Sequence, residues 1–186
     1  MMQQIVLGSS SQTRAEILKA HGIDFIQREC GFDEEQLSLE NPAHFVYYAT
    51  KGKMQSYRER YDLELPVLCA DTVVTAQGKI LRKAKDVEDA RRILELQSGN
   101  TVSILTCMMY KSKNVELMDL SATHYRFKPF DKASLDVYLQ GNAWKGKAGA
   151  CMVEGFCKTY IQEVVGLEST AMGLSIEKLI PFLLFS

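Results

Sequence analysis

The stretch LPVLCADTVV, from Leu65 to Val74, decides the fold class of this chain. It is an apolar run that ends in one carboxylate, Asp71, as expected of a buried strand in an α/β protein. Ligands of such proteins bind beyond the C-terminal ends of the strands. Because an ionised carboxylate is costly to bury alone, Asp71 is predicted to bind a metal ion or a basic side chain at that edge.

Strand and helix patterns alternate along the rest of the chain, which predicts an α/β fold. The predicted strands cover about 4–7, 25–28, 65–71, 79–81, 102–110 and 115–130, and two more short strands precede the last helix. The predicted helices cover about 12–21, 41–61, 86–97 and 131–140, and the last begins at about Ser175. Neither linkers nor repeats interrupt these elements. Residues 1–186 are therefore predicted to form one domain, with two lobes around a cleft.

Composition excludes several classes of function. The 186 residues are 46% hydrophobic and 24% charged, and a net charge of -1 argues against a nucleic-acid binder. The five cysteines include no CxxC pair, which argues against a zinc ribbon or a disulfide scaffold and favours a reducing cytoplasm. No signal peptide is recognised, and the longest apolar run, 179–185, is too short to span a bilayer. We therefore expect a cytoplasmic protein without membrane or nucleic-acid partners.

The segment GSSSQTR, Gly8 to Arg14, has the pattern of an anion site. Here a strand is followed by a loop of small residues and then by the start of a helix. This arrangement brings free backbone amides close to the positive end of the helix dipole. The positive charge of Arg14 is unfavourable beside the positive end of the helix dipole. It becomes favourable if a phosphate lies between them and accepts hydrogen bonds from the guanidinium. An exposed arginine on a serine-capped helix is the simpler interpretation, because the loop lacks the glycine spacing of Walker or dinucleotide motifs.

Two basic segments and one acidic segment have alternative interpretations. Lys53, on the long second helix, is most simply a solvated lysine. Lys83, beyond the hairpin at 76–78, could bind phosphate or Asp71, or could protect an edge strand. The acidic run Asp33–Glu35 is either a solvated turn or the source of a second oxygen ligand for Mg²⁺ beside Asp71. Trp144, in a glycine- and lysine-containing loop, is interpreted as an anchor of that loop rather than as a base-stacking residue.

Short motifs in a fixed order extend over nearly the whole chain. They are Leu7–Arg14, Asp33–Glu34, Lys53, Ala70–Val74, Gly78–Lys83 with Asp86, Ser98–Gly99, Lys147–Ala150 with Glu154–Gly155, and Val164–Leu167. Each motif alone is weak, but the ordered set resembles the Maf family of nucleoside triphosphate pyrophosphatases. The resemblance implies a mixed, twisted sheet flanked by helices, with two lobes around a cleft, similar to inosine triphosphatases.

The same resemblance implies hydrolysis of a nucleoside triphosphate between its α and β phosphates, with Mg²⁺ or Mn²⁺ as cofactor, and a homodimer. Asp71 would be the general base or the metal-held carboxylate that activates water, and Glu34 would be a second metal ligand. The substrate would be bound by Ser9, Ser10, Ser11, Arg14, Lys53 and Lys83. A non-catalytic nucleotide-binding regulator of septum formation is the alternative. A phosphorylated Asp71 is disfavoured, because no second aspartate follows two residues later.

The chain departs from the family pattern at three places. Arg82-Lys83-Ala84 stands where Gly-Lys-Pro is common, Val102 replaces a histidine, and Cys151 replaces an aromatic residue. Since none of these is a charged catalytic position, we expect activity to survive.

The family's markers of base specificity fall at Thr13, Thr72 and Glu154. Thr72 matches the branch that acts on thymidine and uridine triphosphates, whereas Glu154 matches the 7-methylguanosine-triphosphate branch. A carboxylate can accept hydrogen bonds from a guanine N1–H and N2 amine but cannot donate one to a uracil carbonyl. Glu154 therefore favours a guanine-type base. The alternative is that Glu154 is a surface strand residue without a role in base recognition.

Overall fold

A computed structural model describes residues 3–62, 64–151, 153 and 155–184. Its strands are β1 (Ile5–Leu7), β2 (Phe25–Gln27), β3 (Val67–Ala76), β4 (Lys79–Leu81), β5 (Thr101–Lys111), β6 (Glu116–Phe127) and β7 (Ile161–Val165). Its α-helices are α1 (Gln12–Ala20), α2 (Pro42–Arg60), α3 (Val87–Gln97), α4 (Lys132–Gln140), α5 (Glu168–Ala171) and α6 (Ile176–Leu183). Two 3₁₀ helices lie at Glu34–Gln36 and Phe156–Tyr160.

The strands form a mixed sheet, which confirms the predicted α/β class. The order is β2-β1-β3-β5-β6-β7, and β4 pairs with β3. Strand β1 is parallel to both β2 and β3, whereas the β3–β4 and β6–β7 pairs are antiparallel. Gln77 and Gly78 have φ angles of 51° and 74°, as a tight turn between twisted strands requires, so the predicted hairpin at 76–78 is confirmed.

Most predicted helix boundaries are also confirmed, because short polar side chains satisfy the first free backbone amides. In each of four helices the capping oxygen accepts from the amide three residues later; the caps are Ser11, Asn41, Asp86 and Asp131. Of the two short strands predicted before the last helix, one is present as β7, and the described residues contain no second strand there. That region contains the Phe156–Tyr160 3₁₀ helix, strand β7 and the four-residue helix α5. Within the described residues, no helix has both the length and the apolar character needed to cross a bilayer.

The chain divides into two compact units. The first unit comprises Met1–Thr72, Leu105–Ala122 and Leu167–Ser186, and the second comprises Val73–Ile104 and Thr123–Gly166. In the first unit, alternate residues of the strands enter two separate apolar clusters, as the two-residue period of a strand dictates. Leu68 and Ala70 pack with residues of α1 and α6, whereas Val67 and Cys69 pack with residues of α2.

The second unit buries one face of α3 and a group of aromatic rings. The sequence spacing of Val87, Ala90, Ile93 and Leu94 predicts one apolar helix face with a 3.6-residue period; Ala90, Ile93 and Leu94 are buried, whereas Val87, at the start of the helix, is exposed. The ring centroids of Tyr138 and Phe156 lie 4.6 Å apart, and other rings of 127–160 extend this group. The same unit contains a disulfide between Cys151 and Cys157. A single bridge is not the disulfide scaffold that the sequence argued against, and its six-residue spacing lies outside the CxxC pattern considered there.

Candidate active site

Asp71 does not end its strand, contrary to the simplest prediction from the apolar run. It is the fifth of ten residues in β3, which continues to Ala76. The relevant edge belongs to β1, because its parallel pairing with β3 ends at Leu7 and Leu68. Asp71 lies on the part of β3 that extends past that pairing, while the chain of β1 enters the serine loop. The carboxylate is therefore at a strand-end edge, but the strand that ends there is its neighbour.

Lys53 is the basic side chain that binds Asp71, as predicted for a buried carboxylate. Asp71 is only 6% exposed, and its Oδ1 accepts a hydrogen bond from Lys53 Nζ at 2.6 Å. Because Asp71 shares a strand face with Cys69, it is directed toward α2, the helix that bears Lys53. The interpretation of Lys53 as a solvated lysine is therefore wrong.

Glu34 approaches the same ammonium group. Its Oε1 lies 3.6 Å from Lys53 Nζ, so one cation faces two carboxylates. Asp33 starts the short 3₁₀ helix that carries Glu34 by accepting from the amide of Glu35 at 3.0 Å. Within the described ranges, no group of three or more His, Cys, Asp and Glu side chains is arranged to hold a metal ion. A divalent ion bound by Asp71 and Glu34 would need further ligands other than the His, Cys, Asp and Glu side chains of the described residues, such as water or substrate oxygens.

A helical glycine positions this acidic segment, and sequence reasoning missed it. A Cβ atom added to Gly52 would lie 2.4 Å from two atoms of the Phe32 ring. Glycine costs a helix interior about 1 kcal/mol relative to alanine. Here the absence of a side chain lets Phe32 pack directly on α2, two residues before Glu34 and beside Lys53. The signal in the sequence was the glycine between Lys51 and Lys53.

Arg14 is buried at 8% exposure, so its interpretation as a solvent-exposed arginine is wrong. Its Nε donates to the Gly173 carbonyl at 2.8 Å, its Nη1 to Ser9 Oγ at 3.0 Å and its Nη2 to Thr72 Oγ1 at 3.0 Å. Burial lowers the pKa of Arg14, and the negative charge of Asp71 acts in the opposite sense. Each Nη of a guanidinium carries two N–H groups, and each uses one of them in these bonds. The second N–H of each Nη can therefore donate a hydrogen bond to a phosphate.

A chain of hydroxyl groups fixes the partner of Arg14. Thr106 Oγ1 donates to the Thr170 carbonyl at 2.7 Å and lies 2.9 Å from Thr72 Oγ1. Because a hydroxyl has one proton, Thr106 must accept from Thr72, and Thr72 in turn accepts from Arg14. The proton of Thr72 is therefore committed inside the protein. Thr106 is fully buried in β5, and the sequence contained no signal for it.

The serine loop joins these two groups of side chains in the first unit. Ser9 Oγ accepts from Arg14 and from the amide of Ser11, and Gln27 Nε2 donates to the Ser9 carbonyl at 2.8 Å. Ser10 is exposed. A pocket of about 190 Å³ is lined by Gly8, Ser9, Ser10, Glu34, Lys53 and residues 29–32. Thr13, on the first turn of α1, is also exposed.

Lys83 belongs to the second unit, where it is exposed and forms an isolated antiparallel bridge with Ala148. The loop around Ala148 is held by neutral groups. Gln97 Nε2 donates to the Gly149 carbonyl at 2.6 Å, and Tyr138 Oη donates to the Ala150 carbonyl at 3.0 Å.

Two other predictions concern this part of the chain. Trp144 is buried, and its Nε1 donates to the Leu139 carbonyl, which confirms its interpretation as a loop anchor. Glu154, the predicted base-reading residue, lies outside the described residues.

Comparison with known proteins agrees with the ordered motifs. Residues 4–184 match the family model for Maf-like protein. A nucleoside triphosphate pyrophosphatase from a Nitratiruptor species is 56% identical over 94% of this chain and 96% of its own length. A protein of the same description from Helicobacter pylori is 38% identical over 95% of this chain and 93% of its own. This chain belongs to the Maf-like protein family.

Proposed function

We propose that the protein is a nucleoside triphosphate pyrophosphatase that cleaves between the α and β phosphates, yielding a nucleoside monophosphate and pyrophosphate. The observation that carries this proposal is the position of Lys53 between Asp71 and Glu34, beside the serine loop. The two relatives described above bear the name of that activity. Their identity and coverage support the same reaction class here.

Each part of the proposed site meets one requirement of phosphoryl chemistry. Asp71 accepts the proton of the attacking water, and the hydrogen bond from Lys53 Nζ holds its carboxylate in position. Arg14 offers its two remaining N–H groups, and the serine loop offers hydroxyls and backbone amides, to oxygens on which charge accumulates. Lys83 is proposed as a further phosphate contact on the family resemblance alone.

We also propose Mg²⁺ or Mn²⁺ as cofactor, held by Asp71 and Glu34. Both side chains supply the hard oxygen donors that these ions prefer, and both already face one cationic group. Two carboxylates, as the described residues place them around Lys53, suit Mg²⁺, whose coordination is commonly completed by water and substrate phosphates. When bound, such an ion supplies charge for the phosphoryl oxygens and lowers the pKa of water.

The preferred base is proposed to be of the guanine type, because of the carboxylate at Glu154. Thr72 adds a constraint: since its proton is donated to Thr106, Thr72 can accept from a nucleotide but cannot donate to it. A uracil or thymine carbonyl therefore finds no donor at Thr72.

The test is pyrophosphate release from a panel of standard and modified nucleoside triphosphates, with Mg²⁺ or Mn²⁺. We expect Asp71→Asn to lower kcat by about 10²- to 10⁴-fold, the usual contribution of a general base. Asp62→Asn, at an exposed carboxylate after α2, is the matched control. Unchanged release from Asp71→Asn would refute the catalytic role of Asp71. Nucleotide binding without hydrolysis by the wild type would leave a non-catalytic regulator as the better account.

A further inference from the structure

Two thiols of the first unit, Cys30 and Cys69, meet above Gly8. Their Sγ atoms lie 3.5 Å apart, and both cysteines are buried and free. A Cβ atom added to Gly8 would lie 2.7 Å from Cys69 Sγ and 2.8 Å from Cys30 Sγ. The two sulfurs therefore fill the space that a side chain at position 8 would occupy. Gly8 is the first residue after β1 and begins the serine loop.

The two thiols differ in access and in bonding. Cys30 lines the 190 Å³ pocket together with Ser9, Ser10 and Lys53, whereas Cys69 lies behind it on β3. The Cys30 thiol also donates to the Gly8 carbonyl at 2.9 Å. A small reagent that enters the pocket consequently reaches Cys30 first, with Cys69 in position to react second.

We propose that Cys30 and Cys69 form a redox modification site at which a hydroperoxide produces a disulfide. The Cys30 thiol loses its proton, and its sulfur attacks one peroxide oxygen, which breaks the O–O bond and releases an alcohol or water. The resulting sulfenic acid is attacked by Cys69, whose proton leaves with the sulfenic hydroxyl as water. Two thiols are oxidised by two electrons in total, and one hydroperoxide is reduced.

Disulfide formation changes the start of the serine loop. The sulfurs must close from 3.5 Å to about 2.05 Å, directly over Gly8. The Gly8 carbonyl also loses the donor that Cys30 provides. Because Ser9 follows immediately, we expect weaker nucleotide binding in the oxidised protein. This consequence rests on the proposed function, whereas the disulfide itself does not.

The chemical test is peptide mapping of the full chain after reduction and treatment with hydrogen peroxide. The background carries Cys151→Ser and Cys157→Ser, which removes the other disulfide. We expect a Cys30–Cys69 linked peptide, and we expect Cys107→Ser to leave its yield unchanged. In Cys69→Ser, Cys30 should stop at sulfenic acid, which dimedone traps. Absence of the linked peptide, or oxidation of Cys107 as fast as Cys30, would overturn the proposal.

The functional test compares nucleotide hydrolysis before and after oxidation. Loss of one hydrogen bond that holds the loop predicts a roughly tenfold lower kcat/KM, mainly through KM. Dithiothreitol should restore it, and Cys30→Ser, which cannot be oxidised at that position and whose hydroxyl can still donate to the Gly8 carbonyl, should be protected from the loss. A mapped disulfide without any change in hydrolysis would refute the expected consequence. If the reduced protein hydrolyses no nucleotide, the proposed function fails while peptide mapping still decides the modification site.

Discussion

The two units hold their polar groups in different ways. In the first unit the charged side chains of the candidate site are bound to protein partners, as in the Asp71–Lys53 pair and the hydrogen bonds of Arg14, and both Asp71 and Arg14 are buried. In the second unit Lys83 is exposed, and neutral side chains hold backbone carbonyls around Gly149. In the first arrangement, opposite charges hold each other in position. In the second, hydrogen bonds to backbone carbonyls hold the conformation of a loop, and the charges of its side chains do not contribute.

This difference makes the units sensitive to different changes. Burying a charge makes its partner indispensable, because the remaining charge is left without compensation. A loop held by carbonyl acceptors tolerates charge changes but not changes of backbone conformation. We therefore expect charge-removing variants to act most strongly in the first unit, and backbone variants to act in the second.

Loss of Lys53 should produce the largest effect. Lys53→Met leaves the buried Asp71 carboxylate without its cation, which costs about 3–5 kcal/mol of unfolding free energy. Adding Asp71→Asn should recover part of that loss. Chemical denaturation of both single variants and the double variant measures the coupling. In the second unit, Lys83→Met at an exposed position should change stability by less than about 0.5 kcal/mol. Equal losses from the two lysine variants would remove the contrast between the units.

Thr106 should produce the next effect, through the position of Arg14. Thr106→Val removes both the acceptor for Thr72 and the donor to the Thr170 carbonyl, at a cost of about 1–3 kcal/mol. Because Arg14 then loses a fixed partner, kcat/KM should fall about tenfold, and Thr106→Ser should restore both properties. A loss of stability with unchanged kcat/KM would limit Thr106 to a structural role.

Gly149 and Gly146 test the backbone side of the comparison. Both have positive φ, 70° and 72°, so alanine at either position costs about 1–2 kcal/mol. A Cβ atom on Gly149 would also lie 3.2 Å from Val74 Cγ1, whereas Gly146 has open space. Gly149→Ala should therefore destabilise by about 1 kcal/mol more than Gly146→Ala, measured by urea unfolding. Equal losses would show that the loop adjusts around Val74.

Local sequence patterns were sufficient for the elements but not for the pairs of side chains in the site. The caps and the hairpin turn depend on residues within four positions of each other, so the sequence predicts them well. Arg14 depends on Thr72 and Gly173, which are 58 and 159 residues away. The residues next to Arg14 in the sequence are serines at the start of a helix, and this local pattern favoured the interpretation of Arg14 as an exposed side chain. Only the folded arrangement of the chain brings these residues together.

The position of Asp71 shows a second limit of the sequence. An apolar run followed by a carboxylate predicts a strand end, yet β3 continues because Thr72 to Thr75 are β-branched and suit a strand equally well. Alternation along β3 then places Asp71 and Thr72 on opposite faces of the sheet. The sequence predicts that alternation, but it does not predict which helix covers each face.

Tyr138 should give the smallest effect and shows how a neutral hydrogen bond depends on pH in the second unit. Burial raises the pKa of Tyr138, so the folded protein favours the protonated phenol that donates to the Ala150 carbonyl. That contribution is fully present below about pH 10, the pKa of a free phenol, and is lost as the pH rises through the higher folded-state pKa. We expect a contribution of less than about 1 kcal/mol to the unfolding free energy, because the group is half-buried and the bond is neutral.

The measurement is urea unfolding across this pH range. The unfolding free energy should fall more steeply at alkaline pH for the wild type than for Tyr138→Phe, and Tyr48→Phe, at an exposed tyrosine of α2, is the control. Parallel curves for wild type and Tyr138→Phe would mean that the Ala150 carbonyl is held without the phenol, and that the loop depends on Gln97 and its own backbone alone.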